Sequence, residues 1–288
     1  MLLVTQSGFL GLELYNGLSR LGAKVIGTAR SGDVQVKLDL LQPVEPQLIP
    51  ILERESPRAG VICAAMSDPE GCFKDPGLSG RVNVEAMLEL LSLFKRREIK
   101  PVFFSSDLVF GGAPGVFAED APMRPTTLYG RQKQLIEEAI RRGFNNHLII
   151  RTSKLMSMRL HPRNILSPIV QGLREGRPIT LFQDQTITPV FIEDIPGALQ
   201  RALQTGLSGT YHLAATAPLT RIQIGHEVAR VLGLDPKWLQ PISIADVRLS
   251  EPRGTCNAIS AAKIERELGF RFTSLEAGIR SLGANLTS

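Results

Sequence analysis

Short apolar runs and amphipathic stretches alternate along the first half of the chain. Leu2-Leu3-Val4 leads into Ser7-Gly8-Phe9-Leu10-Gly11, and the pattern then predicts a helix from Leu12 to Leu21. Gly22 follows, where a helix C-terminal glycine belongs. Apolar runs at Lys24–Thr28, Val34–Leu38, Gly60–Ala64, Pro101–Phe104 and His147–Ile150 read as strands. Helical periodicity fills the spaces at Gln47–Glu55, Val84–Arg97 and Leu128–Arg142. A strand that is apolar on both faces, followed by a helix and another such strand, is what a parallel sheet covered on both sides requires.

The rhythm loosens beyond Arg151. Helices are predicted at Ile165–Glu175, from near Asp194, at Arg221–Leu232 and at Ala261–Leu268, with a strand at Gly209–Leu213. Prolines recur here, as they do in loops around a smaller lobe. The expected fold is therefore α/β: a Rossmann-type doubly wound parallel sheet over residues 1–152, with returning segments within about 177–215. A small C-terminal α/β substrate lobe is expected over about 153–176 and 216–288.

Composition narrows the function classes. The 288 residues are 43% hydrophobic and 21% charged, as in ordinary globular proteins. The net charge of +5 comes from scattered Lys and Arg, without a basic stripe, so no nucleic-acid partner is expected. Cys63, Cys72 and Cys256 are odd in number and far apart, which fits a reducing compartment and argues against a disulfide framework. The dispersed histidines suggest no metal site. No apolar run is long enough to span a membrane, and the chain reads as cytoplasmic.

Two regions carry candidate chemistry. A glycine turn between a first strand and a helix lets backbone N–H groups and the helix N-terminus approach a pyrophosphate. Ser7, Gly8, Phe9, Leu10 and Gly11 stand in that place, although no glycine precedes Gly8 and Gln6 stands where the first is expected. The second strand ends in Arg30-Ser31 with no acidic residue. An acid there would repel a 2′-phosphate, so NADP(H) is favoured over NAD(H), which stays open. Asp39 and Leu40 are candidates for the adenine edge, and Ala64, Ala65 and Met66 for the cofactor's passage across the sheet.

The second region begins where a strand delivers Ser105, Ser106 and Asp107 to the sheet's carboxyl end. Tyr129 and Lys133 follow at a spacing of four, on one face of a helix. A phenol is a poor acid or base near neutrality, and a neighbouring ammonium stabilises its phenolate. A serine hydroxyl can stabilise charge growing on a carbonyl oxygen.

The run Phe104–Gly111, then Glu119-Asp120, Pro122, Pro125 and Tyr129-Gly130-Arg131-Gln132-Lys133, resembles the extended short-chain dehydrogenases and reductases. The branch it is most similar to is the dTDP-4-dehydrorhamnose reductase family. Ala64-Ala65, Asn83, Ile150–Ser153, Asp184-Gln185, Thr188-Pro189 and the C-terminal stretch Ala261–Phe270 extend the likeness over most of the chain. The resemblance implies Ser106, Tyr129 and Lys133 as catalytic residues, with Asn83, Ser105, Tyr129 and Lys133 also toward the cofactor. It implies Asp107, Val109 and Phe110 toward a keto-sugar nucleotide, reduced by hydride transfer. Leu108 and Lys154-Leu155-Met156 depart from the family's aromatic residues. A non-catalytic NADP-binding regulatory subunit and a sugar-nucleotide epimerase or dehydratase are the alternatives on this fold. A homodimer and a partner enzyme are both compatible with it.

Overall fold

The computed structural model describes residues 1–32, 34–215 and 217–286. The limits expected at 216 and 288 lie outside the described residues. Seven strands, Leu2–Val4 (β1), Ile26–Ala29 (β2), Val36–Lys37 (β3), Ala59–Ile62 (β4), Lys100–Ser106 (β5), Leu148–Thr152 (β6) and Gly209–Leu213 (β7), form one sheet. Its order is β3-β2-β1-β4-β5-β6-β7, and every pairing is parallel. The order reverses at β1, so the carboxyl ends of β1 and β4 flank the crevice where such sheets bind ligands.

The sheet's two faces can be read residue by residue. Leu3, Val102, Phe104, Leu148 and Ile150 point into one apolar cluster, with the helices Phe9–Arg20 (α1) and Ile195–Gln204. Leu2, Val4, Phe103 and Ile149 point into the other, with the helices at Val44–Glu55 and Ala86–Arg96. Such alternation within unbroken apolar runs is the period-2 signature of strands buried on both sides. A third cluster gathers Met156, Leu166, Ile169, Phe191, Ile224, Val228 and Ile279. Small sheets at Ile179–Phe182 with Leu239–Ile242, and around Thr186–Ile187 and Cys256–Ile259, accompany it. Among the described residues no helix is long and apolar enough to cross a membrane.

Expected elements lie within a few residues of their observed places, and Gly209–Leu213 and Arg221–Leu232 coincide with them. The short helix Pro69–Lys74 and the last helix Leu275–Ala284 were not expected. A π-helical turn at Arg81–Glu85 precedes Ala86–Arg96, a feature that often re-aims a side chain near a site. Here it carries Asn83.

One buried ion pair ties the sheet to the helix Leu128–Gly143 (α2). Arg151 on β6 donates from Nε to Glu137 Oε1 at 2.9 Å and from Nη2 to Oε2 at 2.7 Å. Both residues are almost fully buried. The remaining guanidinium nitrogen donates to the Glu119 carbonyl, and Arg141 supplies a second cation to Glu137. Burial works against the Glu137 carboxylate, and the hydrogen bonds and charge of Arg151 more than offset it. Its pKa therefore lies below the usual carboxylate value.

The turn from β1 to α1 differs from expectation. Thr5, not Gln6, takes the place of the missing first glycine, with φ at +72°. A β-branched residue in the left-handed region is strained. The strain is held by hydrogen bonds from Thr5 N–H to Thr28 Oγ1 and from Gln6 N–H to the Thr28 carbonyl. The Gln6 side chain lies over Gly27, in the space that a side chain there would need. Gly11 packs so tightly on the Thr5 carbonyl that a Cβ would lie 2.0 Å from it, so the turn depends on that glycine.

Two stability changes are expected. Arg151→Met leaves Glu137 charged, buried and short of partners, and should cost about 3–5 kcal/mol in urea unfolding. Replacing both members by apolar residues should cost less than the single change. Thr5→Gly relieves the left-handed strain and should stabilise by about 1 kcal/mol; a loss of stability in that variant would contradict the strain.

Candidate active site

β5 ends at Ser106, and a 3-10 turn at Asp107–Val109 follows at once. Ser106 caps this turn, accepting from Leu108 N–H at 3.2 Å, and its hydroxyl donates to Asp107 Oδ1 at 2.9 Å. Asp107 is buried, which raises its pKa, while hydrogen bonds from Ser153 and Ser106 and the charge of Lys154 pull the other way. The turn sends the chain back into the core. Val109 and Phe110 are therefore buried there and do not line the cavity, which corrects their assignment to substrate. Phe110 stacks on Phe117 at 4.4 Å between centroids and carries the Arg151 guanidinium over its ring.

α2 begins against that same turn. A Cβ on Gly130 would lie 2.2 Å from the Leu108 carbonyl, so glycine lets the helix approach the strand end that carries Ser106. Thr127 caps the helix by accepting from Gly130 N–H. The Glu251 carboxylate accepts from Leu128 N–H at 2.8 Å and receives Arg131. A carboxylate there also suits the positive end of the helix. Tyr129 and Lys133 then face the cavity one turn apart.

Lys133 is buried, donates to the Phe104 carbonyl at 2.8 Å, and lies 5.6 Å from the centroid of the Tyr129 ring. Burial pulls its pKa down to about 8, only partly opposed by the charge of Glu137 and the nearby thiols. Burial, followed by the charge of Asp107, pushes the Tyr129 phenol up, so it holds its proton. Cys63, on the same wall, donates to the Val4 carbonyl, and burial lifts its thiol to about 12.

The residues meet at one cavity of about 460 Å3. Of those expected at the site, Ser7, Gly8, Phe9, Leu10, Gly11, Ala65, Ser105, Ser106, Asp107, Tyr129 and Lys133 line it. Gly8 is the N-cap of α1, no side chain caps this end, and a Cβ there would meet open space. The first N–H groups of the helix are thus open toward an anion.

Other expected residues stand elsewhere. Ala64 is buried, and Met66 lies outside the cavity lining with its backbone bound on both sides by Asn83. Asn83 accepts from Met66 N–H and donates to the Met66 carbonyl and to Gln132 Oε1, which leaves it nothing to offer a cofactor. It holds the loop after β4 instead, correcting its assignment as a contact residue. Asp39 accepts from Leu41 N–H, and Leu40 packs at the edge of the core. Arg30 and Ser31 are exposed beyond β2, outside the cavity lining.

Further lining residues were not foreseen as site residues. Lys154, Arg163, Arg221 and Arg253 bring four cations to the cavity, together with Gln185 and Asn257. Arg221 receives help from Gln185 Oε1 and stacks on Phe182, and Arg253 pairs with Glu70. Burial, then neighbouring Arg253, lowers the Arg221 pKa, as expected where like charges crowd. Three of these residues come from segments remote in sequence, where no motif spacing marks them.

The sequence matches the family described as RmlD substrate binding domain over residues 1–288. It is 27% identical to the probable low-salt glycan biosynthesis reductase Agl14 of Haloferax volcanii over 285 residues, covering 96% of this chain and 95% of that protein. It is 27% identical to the dTDP-4-dehydrorhamnose reductase of Streptomyces griseus, covering 82% of this chain and 77% of that protein. Among solved structures, dTDP-4-dehydrorhamnose reductase from Bacillus anthracis in complex with NADP superposes with a TM-score of 0.86 at 20% identity, covering 98% of this chain and 97% of that one. The chain belongs to the RmlD substrate binding domain family and has the fold of the extended short-chain dehydrogenases and reductases.

Proposed function

We propose that the chain is an NADP(H)-dependent oxidoreductase that reduces a keto group on a nucleotide-linked sugar, with Ser106, Tyr129 and Lys133 as its catalytic residues. The observation that carries this reading is one cavity lined together by Ser106, Tyr129 and Lys133, by the open N-terminus of α1 and by four cations. Relatives named as reductases of dTDP-linked sugars support the substrate class.

The cofactor fits the residues present. The uncapped amides of Gly8, Phe9 and Leu10 suit its pyrophosphate, and Arg30 with Ser31 at the end of β2 suits a 2′-phosphate. When bound, NADPH supplies the hydride that reduces the carbonyl carbon. Ser106 turns its hydroxyl proton from Asp107 to the carbonyl oxygen, which stabilises the charge that grows there. Tyr129 gives its phenolic proton to that oxygen. The Lys133 ammonium stabilises the phenolate left behind, and the Phe104 carbonyl fixes its position. Arg221 and Arg253 suit the two charges of a nucleoside diphosphate.

The acid must be protonated and Lys133 charged for reduction. Because Lys133 titrates near pH 8, kcat/KM for reduction should be level below about pH 8 and fall above it. Tyr129→Phe should lower kcat by about 100-fold or more, the size of a general-acid contribution. Unchanged turnover in that variant, or a rate that climbs above pH 8, contradicts the assignment. Arg30→Ala should weaken NADPH about tenfold in a fluorescence titration and leave NADH nearly unaffected; equal loss for both would remove Arg30 from the 2′-phosphate.

A further inference from the structure

The side chain of Lys154 reaches the cavity lining with no hydrogen bond or ion pair to the described residues, and it is accessible there. Its place in the chain is close to the reacting centre. Ser106 pairs in register with Thr152, and Lys154 lies two residues further along, roughly 7 Å of extended chain. Arg221 and Arg253 come from distant segments and already match the two charges of a diphosphate. Lys154, beside the strand end that carries Ser106, is therefore a cation in surplus of those two charges.

Its surroundings do not satisfy it. Of the two carboxylates that act on it, Asp107 is engaged by the Ser106 hydroxyl and Asp68 by the N–H groups of Glu70 and Gly71. Enclosure in the cavity and the nearby Arg221 and Arg253 disfavour the Lys154 ammonium, and Asp107 and Asp68 offset this only in part. An anion delivered by the substrate would relieve that crowding, and a charge-assisted contact in a concave site is stronger than one in open water.

We propose that Lys154 selects sugar nucleotides whose sugar ring carries a carboxylate, which its ammonium receives beside the reacting carbonyl. The inference rests on the reductase reading above and narrows its substrate class.

UDP-glucose and UDP-glucuronic acid differ only in a hydroxymethyl group against a carboxylate, so their affinity ratio isolates this contact. Calorimetric titration of the intact protein, saturated with NADP, should show UDP-glucuronic acid bound about tenfold tighter. In Lys154→Met the ratio should fall to about one, and Lys154→Arg should keep the preference. A wild-type ratio near one, including the case where neither UDP-sugar binds, overturns the role of Lys154. A tenfold ratio that persists in Lys154→Met overturns it too, and weakening of both ligands together would place the ammonium on the diphosphate. Titration with dTDP-glucose separates the two levels: binding of any neutral sugar nucleotide leaves the reductase reading standing, and binding of none removes both.

Discussion

The Arg151–Glu137 pair is the constraint on which the site's geometry depends. Glu137 lies one turn beyond Lys133 on α2, and Arg151 lies next to Thr152, the register partner of Ser106. The pair therefore joins the strand beside Ser106 to the helix that carries Tyr129 and Lys133. A buried pair of this kind adds little net stability over a well-packed apolar one, because desolvation opposes the attraction. What it supplies here is direction: its two parallel hydrogen bonds fix the rotation of the helix about its own axis. Gly130 on Leu108 fixes how close the helix sits, and Glu251 fixes where it begins.

With that frame set, the electrostatics of the cavity divide it in two. Around Tyr129 and Lys133 burial dominates: it holds the proton on Tyr129 and lowers the Lys133 pKa to about 8. Elsewhere in the lining charge dominates, with the cations Lys154, Arg163, Arg221 and Arg253. The open N-terminus of α1 adds a further positive end to the same cavity. The strained Thr5 belongs to the same corner, where the backbone is bent to bring the helix amides to the cavity.

Much of this was legible in the sequence because it depends on local pattern. Unbroken apolar runs gave β1, β4, β5 and β6, and the spacing of Tyr129 and Lys133 gave the face of α2 that lines the cavity. Asn83 and Phe110 were recognisable as family positions, but sequence resemblance does not say whether a side chain faces a ligand or the core. Phe110 is turned inward by the 3-10 turn, and Asn83 spends every polar atom on Met66 and Gln132. The missing glycine was placed one residue late, since only the backbone angle shows that Thr5 makes the left-handed turn. Arg221 and Arg253 reach the cavity through tertiary packing of a lobe whose periodicity is weak, so no local signal announces them.

The most direct measurement is the transfer of the hydride itself. The protein would be incubated with NADPH deuterated at the transferable position and with keto-sugar nucleotides, neutral and carboxylated, and the products analysed by mass spectrometry and NMR. The account predicts one deuterium on the former carbonyl carbon and stoichiometric formation of NADP. Tight binding of NADPH and of sugar nucleotides with no deuterium transferred would contradict it, and would make the chain a binding protein on a reductase fold.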